Sequence, residues 1–250
     1  MPYAQIGDLK LYYEQLGTGE PLIFLHSAYS RGILAFACQL LDFQQAYTCY
    51  LPDFRGHGRS TCPSLEWTTP QLAEDVLAFM DQLAIPQAHV IGYSLGGGVA
   101  LHCAAQAPQR FKTLTTIGCA GAADPTGADD FEPEALLRDG KQAIIAHMQA
   151  NHADAHRGDW QEFMRQSARD WRLYPRLSDS QLADIRCPAF FIAGEHDSFV
   201  HAAQLQRLCA LLPNARYWLV PGGTHRPHML HEQPRLVNAE ILRFLAEHES

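Results

Sequence analysis

Residues 92–98, which read Gly-Tyr-Ser-Leu-Gly-Gly-Gly, constrain this chain more than any other stretch. The apolar run His89-Val90-Ile91 leads in, and Val99-Ala100-Leu101-His102-Cys103-Ala104-Ala105 leads out with helical character. A strand that turns abruptly into a helix has little room for side chains two residues either side of the tip. Gly92 and Gly96 occupy those places around Ser94. The turn holds the serine hydroxyl clear of the sheet, and the following helix aims its first N–H groups at the same point, where they favour developing negative charge. A glycine-rich turn with an incidental serine shares this local pattern, so the reading depends on partners elsewhere in the chain.

The chain on either side repeats strand and helix. Residues 3–16 alternate around Gly7-Asp8, with Leu9, Leu11 and Tyr13 on one face, and predict a β-hairpin. Leu22–Leu25 is continuously apolar, as in a parallel strand buried on both faces, and it ends at His26-Ser27-Ala28. A helix is expected over 32–45 and a strand over 47–51. Thr69-Pro70 reads as a cap with proline in the first turn, opening a helix over 70–83. Strands at 88–92 and 114–118 bracket the elbow helix, which stops near Pro108. From Cys119 to Asp184 strand signals cease. A loop at 119–133 precedes helical patterns at 134–151 and 158–171, interrupted by Pro175. The alternation then resumes with strands at 189–193 and 216–220 and helices at 201–212 and 233–247. This order predicts an α/β protein with a mostly parallel, doubly wound sheet.

Composition narrows the function classes. In 250 residues, 47% hydrophobic and 18% charged, there is material for a sizeable core. A net charge of −8 argues against a nucleic-acid partner. The seven cysteines are scattered, odd in number and without a Cys-x-x-Cys pair, which fits a reducing compartment. The N-terminus lacks a signal-peptide pattern and no apolar run reaches membrane-spanning length, so a cytoplasmic protein is expected, with no membrane partner. Self-association stays open.

In open α/β sheets reactive groups gather at the carboxyl ends of strands. Those ends here carry His26-Ser27-Ala28, Ser94, Asp197 and His225. Ser94 needs a base to become a nucleophile, a histidine such as His225 can serve as that base, and Asp197 can hold the imidazole tautomer. Asp124 is a rival for the acid.

Four pieces then fall in order: Asp53-Phe54-Arg55-Gly56-His57-Gly58-Arg59-Ser60, Gly92-Tyr93-Ser94-Leu95-Gly96-Gly97, Gly194-Glu195-His196-Asp197 and Gly222-Gly223-Thr224-His225. By these the chain resembles the α/β-hydrolase superfamily, in its small capped group of esterases, lactonases, carbon–carbon bond hydrolases and cofactor-free haloperoxidases. The resemblance implies an eight-stranded α/β-hydrolase fold, with 1–119 and 184–250 as core and 120–183 as a helical cap inserted after the sixth strand. It implies catalysis by Ser94, Asp197 and His225, with the backbone N–H groups of Ala28 and Leu95 as oxyanion hole. Relatives usually read His-Gly-x where this chain has His26-Ser27-Ala28, which makes the Ala28 donor the less secure of the two.

The expected activity is serine hydrolysis of a small to medium carboxylic ester or lactone, with carbon–carbon bond hydrolysis, haloperoxidase chemistry or a ligand receptor of the same fold as alternatives. No metal or organic cofactor is implied. His225, His228 and His231 share a metal-like spacing, but Pro227 interrupts it and no further ligands complete a set, so His228 and His231 read as surface or helix-start residues. Asp53, Arg55 and His57 read as structural, with Arg55 bonding Asp53. His147, His152 and His156 default to a polar helix face. Tyr29, Trp160, Phe163 and Trp171 are candidates to line a pocket for a small substrate with an apolar or aromatic part.

Overall fold

The computed structural model describes residues 2–62, 64–122 and 124–249. Its centre is an eight-stranded sheet. Strands β1 (Tyr3–Ile6) and β2 (Leu9–Leu16) form the expected hairpin, followed by β3 (Glu20–Leu25) and β4 (Tyr47–Pro52). Then come β5 (Ala88–Tyr93), β6 (Phe111–Ile117), β7 (Ala189–Gly194) and β8 (Ala215–Val220). The spatial order is β1-β2-β4-β3-β5-β6-β7-β8, with β1/β2 and β2/β4 antiparallel and the rest parallel. β5 and β7 are buried along their whole length, as their unbroken apolar runs predict.

Helices cover both faces. On one face α3 (Thr69–Gln82), α4 (Leu95–Gln106) and α10 (Ala202–Leu211) place Val76, Leu101 and Leu205 in one core cluster. On the other, α1 (Gly32–Ala35), α2 (Leu40–Phe43) and α11 (Pro234–Ala246) place Phe36, Phe43 and Ile241 in a second. The helix expected over 32–45 is two single turns. Between them Gln39 is drawn inward, its amide donating to His228 O at 2.8 Å and Asn238 Oδ1 at 2.9 Å. The cap of α3 also moves by one residue. Thr68, in extended conformation, accepts from Gln71 N–H, while Thr69 is already helical.

Between β6 and β7 the described residues form five α-helices: α5 (Pro133–Arg138), α6 (Gln142–Asn151), α7 (Ala153–His156), α8 (Trp160–Leu173) and α9 (Asp179–Ala183). The long helix expected over 134–151 breaks after Arg138, where Gly140 turns the chain at φ +64°. Their residues Phe163, Met164, Met148 and Leu136 form a small core of their own, whereas Leu182 of α9 packs into the main core.

Parallel register aligns the strand ends. Leu25 pairs with Gly92, Tyr93 with Ile117, Ile117 with Ile192 and Gly194 with Val220. The segments after these strands therefore emerge at one edge of the sheet.

Candidate active site

Ser94 sits at φ +53°, ψ −114°, a backbone region costly for a residue with a Cβ. The surroundings enforce it. Its N–H donates to Ile117 O at 2.8 Å, and its carbonyl accepts from Gly97 N–H at 2.9 Å. A Cβ on Gly96 would lie 2.0 Å from Leu25 O, so the helix start rests directly on the end of β3 and only glycine fits.

Asp197 follows β7 with its side chain wholly buried. Its Oδ1 accepts from Phe199 N–H at 2.8 Å and Val200 N–H at 3.1 Å. The carboxylate faces His225, whose Nδ1 is 3.0 Å from Oδ2 and 3.1 Å from Oδ1. On the other side of the ring, His225 Nε2 is 3.1 Å from Ser94 Oγ. An ionised carboxylate only accepts, so it places the proton on Nδ1 and leaves a lone pair on Nε2 toward the serine. Tyr93 and Phe199 flank the imidazole, at ring distances of 5.5 and 4.9 Å. Gly118 backs it at φ +61°, and a Cβ there would lie 2.9 Å from His225 Cε1. Sequence reasoning passed over Gly118, although a glycine directly after the β6 apolar run was a usable signal.

Ala28 and Leu95 border the same cavity as Ser94. Leu95 is the first residue of α4, where N–H groups have no acceptor within the helix. The loop bearing Ala28 is held by His26, which is fully buried. His26 Nε2 accepts from Phe54 N–H at 2.9 Å, which puts the proton on Nδ1, donating to Ser27 O at 2.8 Å. Burial and the neighbouring His57 hold its pKa well below the ordinary value.

The cavity above Ser94 measures about 900 Å³. Its wall includes Tyr29, Trp67, Phe131, Trp171 and Tyr174 from the expected aromatic set and beyond it. Phe163 and Trp160 pack elsewhere. Phe163 is buried and stacks on His152 at 4.6 Å, and Trp160 covers the same small core. Asp124 lies in the cavity wall, but its Oδ1 accepts from Thr126 N–H at 2.9 Å, and its carbonyl accepts from Trp171 Nε1 at 2.8 Å. Among the described residues no hydrogen bond joins its carboxylate to His225.

Several histidines depart from expectation. His228 is buried rather than on the surface, its ring 4.5 Å from Tyr93, and burial pushes its pKa down to about 3. His152 and His156 are buried too, whereas His147 is exposed and borders the cavity. His152 ties the β6–β7 excursion to the core, because its Nδ1 accepts from Gly58 N–H at 2.9 Å, a task only the neutral ring performs. Asp53, Arg55 and His57 do build their loop, with different partners. Arg55 binds Asp75 through two bonds of 2.8 and 2.7 Å, while Asp53 accepts from the N–H groups of Gly32 and Arg59.

Residues 22–240 match the model of the Alpha/beta hydrolase family. The carbamate hydrolase candidate RutD of Azorhizobium caulinodans is 26% identical over 277 residues, covering 99% of each chain. The pimeloyl-acyl-carrier-protein methyl ester esterase of Chromobacterium violaceum is 28% identical over 270 residues, covering 96% of this chain and 98% of that one. The meta-cleavage product hydrolase of Pseudomonas fluorescens IP01 superposes with a TM-score of 0.80 at 19% identity, over 99% of this chain and 98% of that one, a likeness of fold alone.

Proposed function

We propose that this chain, which belongs to the alpha/beta hydrolase family, is a serine hydrolase that cleaves a carboxylic ester or lactone through an acyl-enzyme on Ser94. One observation carries the reading. His225 touches Asp197 through Nδ1 and Ser94 through Nε2 at the same time, across 28 and 131 residues of sequence. In the first step Ser94 Oγ attacks the carbonyl carbon as His225 Nε2 takes its proton. The N–H groups of Leu95 and Ala28 receive the oxyanion, and Asp197 stabilises the imidazolium. His225 then returns the proton to the leaving alcohol. Water deacylates the serine with His225 again as base. Residues 120–183 act as a cap over the cavity, whose aromatic wall suits an apolar acyl or alcohol part. The 28%-identical methyl ester esterase supports an ester substrate. Seven free thiols support a cytoplasmic setting, and no helix among the described residues is long and apolar enough to cross a membrane.

The test is fluorophosphonate labelling followed by a chain-length panel of activated esters and lactones. Wild type should label and turn over esters, and Ser94→Ala should do neither. Labelling that survives Ser94→Ala sinks the nucleophile assignment. Full labelling with no ester or lactone turned over moves the reading to carbon–carbon bond hydrolysis or ligand sensing.

Gly118→Ala is expected to reach the same chemistry from behind. The new methyl group pushes the His225 ring, and displacement by a fraction of an ångström should lower kcat roughly 10- to 100-fold, with KM little changed. Ester kinetics beside a thermal melt checks this. Unchanged kcat in a folded variant would show that the ring position is not critical.

A further inference from the structure

Asp170 is the buried charge in the cavity that acyl transfer does not use. It lies on α8, is 3% exposed, and forms part of the cavity wall. Thr69 donates to it twice, N–H to Oδ1 at 2.7 Å and hydroxyl to Oδ2 at 2.6 Å. A carboxylate offers about four lone-pair sites, and Thr69 takes two of them. Burial pushes its pKa up to about 6, which leaves it ionised at pH 8. Among the described residues no cation pairs with it. Arg226, also in the wall, is solvent-exposed, so its charge is screened.

The groups around Asp170 point the same way. Trp171 adjoins it in sequence, and Trp67 lies two residues before its partner Thr69; both border the cavity. Tyr29 borders it as well; burial first, then the charges of Glu132 and Asp170, suppress ionisation of the phenol, and among the described residues its buried hydroxyl has no hydrogen-bond partner. A buried carboxylate in a cavity that aromatic side chains also line is an arrangement for an organic cation. An unpaired buried carboxylate is unfavourable until a counter-charge arrives.

We infer that Asp170 determines substrate choice, and that the ester or lactone cleaved here carries a protonated amine on its apolar part, seated against Asp170 and the rings of Trp67, Trp171 and Tyr29. The inference rests on the acyl-transfer reading for the word substrate, but the cation site is tested apart from it.

The test is titration calorimetry of the whole chain at pH 8 with three ligands of one shape: 4-phenylbutylammonium, 4-phenylbutanol and 4-phenylbutyrate. The ammonium should bind about tenfold tighter than the alcohol or more, and the carboxylate weakest. Asp170→Asn keeps both bonds to Thr69, because its carbonyl takes the N–H and its amide donates to the hydroxyl. It should erase the ammonium preference while leaving the alcohol within about twofold. Equal binding of ammonium and alcohol by wild type overturns the inference, as does a preference that survives Asp170→Asn. If the variant does not fold, the wild-type order decides alone. Fluorophosphonate labelling reads the other proposal independently. Loss of the cation preference with Ser94 still labelling removes only the specificity claim, and a cation preference without labelling removes only the acyl-transfer claim.

Discussion

Asp197→Asn should lower kcat on activated esters by about 10⁴-fold, while Asp124→Asn changes it less than about threefold. The size of the first effect follows from a tautomer. Asp197 Oδ1 is held by the N–H groups of Phe199 and Val200. In the asparagine variant the side-chain carbonyl must stay on those two donors. Its NH₂ then occupies the place of Oδ2 and donates to His225 Nδ1, which becomes an acceptor. The proton moves to Nε2, the nitrogen 3.1 Å from Ser94 Oγ, and the ring can no longer take the serine proton. Geometry is preserved while the base is lost, so substrate binding should change little and the deficit should appear in kcat. Asp124 has a different environment. It is partly exposed, and the Thr126 bonds hold its pKa below the ordinary value. Kinetics of both variants decides the matter, and a large loss in Asp124→Asn with Asp197→Asn active would exchange their roles.

Stability should fall steeply on acidification below pH 6.5. Among the fully buried histidines are His26, His57, His152 and His228. Burial holds His57 at about 4 and His228 at about 3, and holds His26 and His152 well below the ordinary range. Each is neutral when folded and takes up a proton on unfolding as pH drops below about 6.5. The unfolded state then binds more protons, so stability declines with falling pH through the window from 6.5 to the folded values. His57 alone accounts for about 3 kcal/mol by pH 4, at about 1.4 kcal/mol per unit. Asp170 opposes this. Its folded value of about 6 lies above the unfolded one, so it adds stability as pH falls from 6 toward 4. That offsets about one histidine, and Asp53, raised by burial, acts with the same sign. The histidines outweigh both, in a fold whose total margin is about 5–15 kcal/mol. Urea unfolding at several pH values should show loss of the folded state between about pH 5 and 4. His228→Phe should flatten the slope by nearly one proton, since burial keeps the ring neutral and it packs against Phe36 and Tyr93. Constant or rising stability down to pH 4.5 would contradict the account.

These histidines also mark where sequence reasoning stops. Polar residue types in helical or loop segments default to the surface, and nothing local signals that His228 lies under Tyr93 or that His152 receives Gly58 N–H. Both burials are made by contacts between segments distant in sequence. The same holds for Arg55, whose nearest carboxylate in sequence is Asp53 but whose bidentate partner is Asp75. Trp160 and Phe163 show the converse. Their apolar character is plain, yet α8 turns them into a small core and turns Trp171 and Asp170 toward the cavity.

By itself the sequence determined the alternation of strand and helix, because period and apolar runs are local properties of the chain. It also determined the elbow, because Gly92, Ser94 and Gly96 answer a steric demand confined to seven residues, and it nominated Asp197 and His225 by their places after strands. Tertiary structure alone decided the rest. Parallel register brought the ends of β5, β7 and β8 to one edge, and so set the 3.0 and 3.1 Å contacts of His225. The packing of α8 on the start of α3 buried Asp170 in the cavity wall. The physical reason is range. Backbone sterics and hydrophobic period act over a few residues, whereas desolvation and hydrogen-bond partnership depend on what the rest of the chain brings alongside.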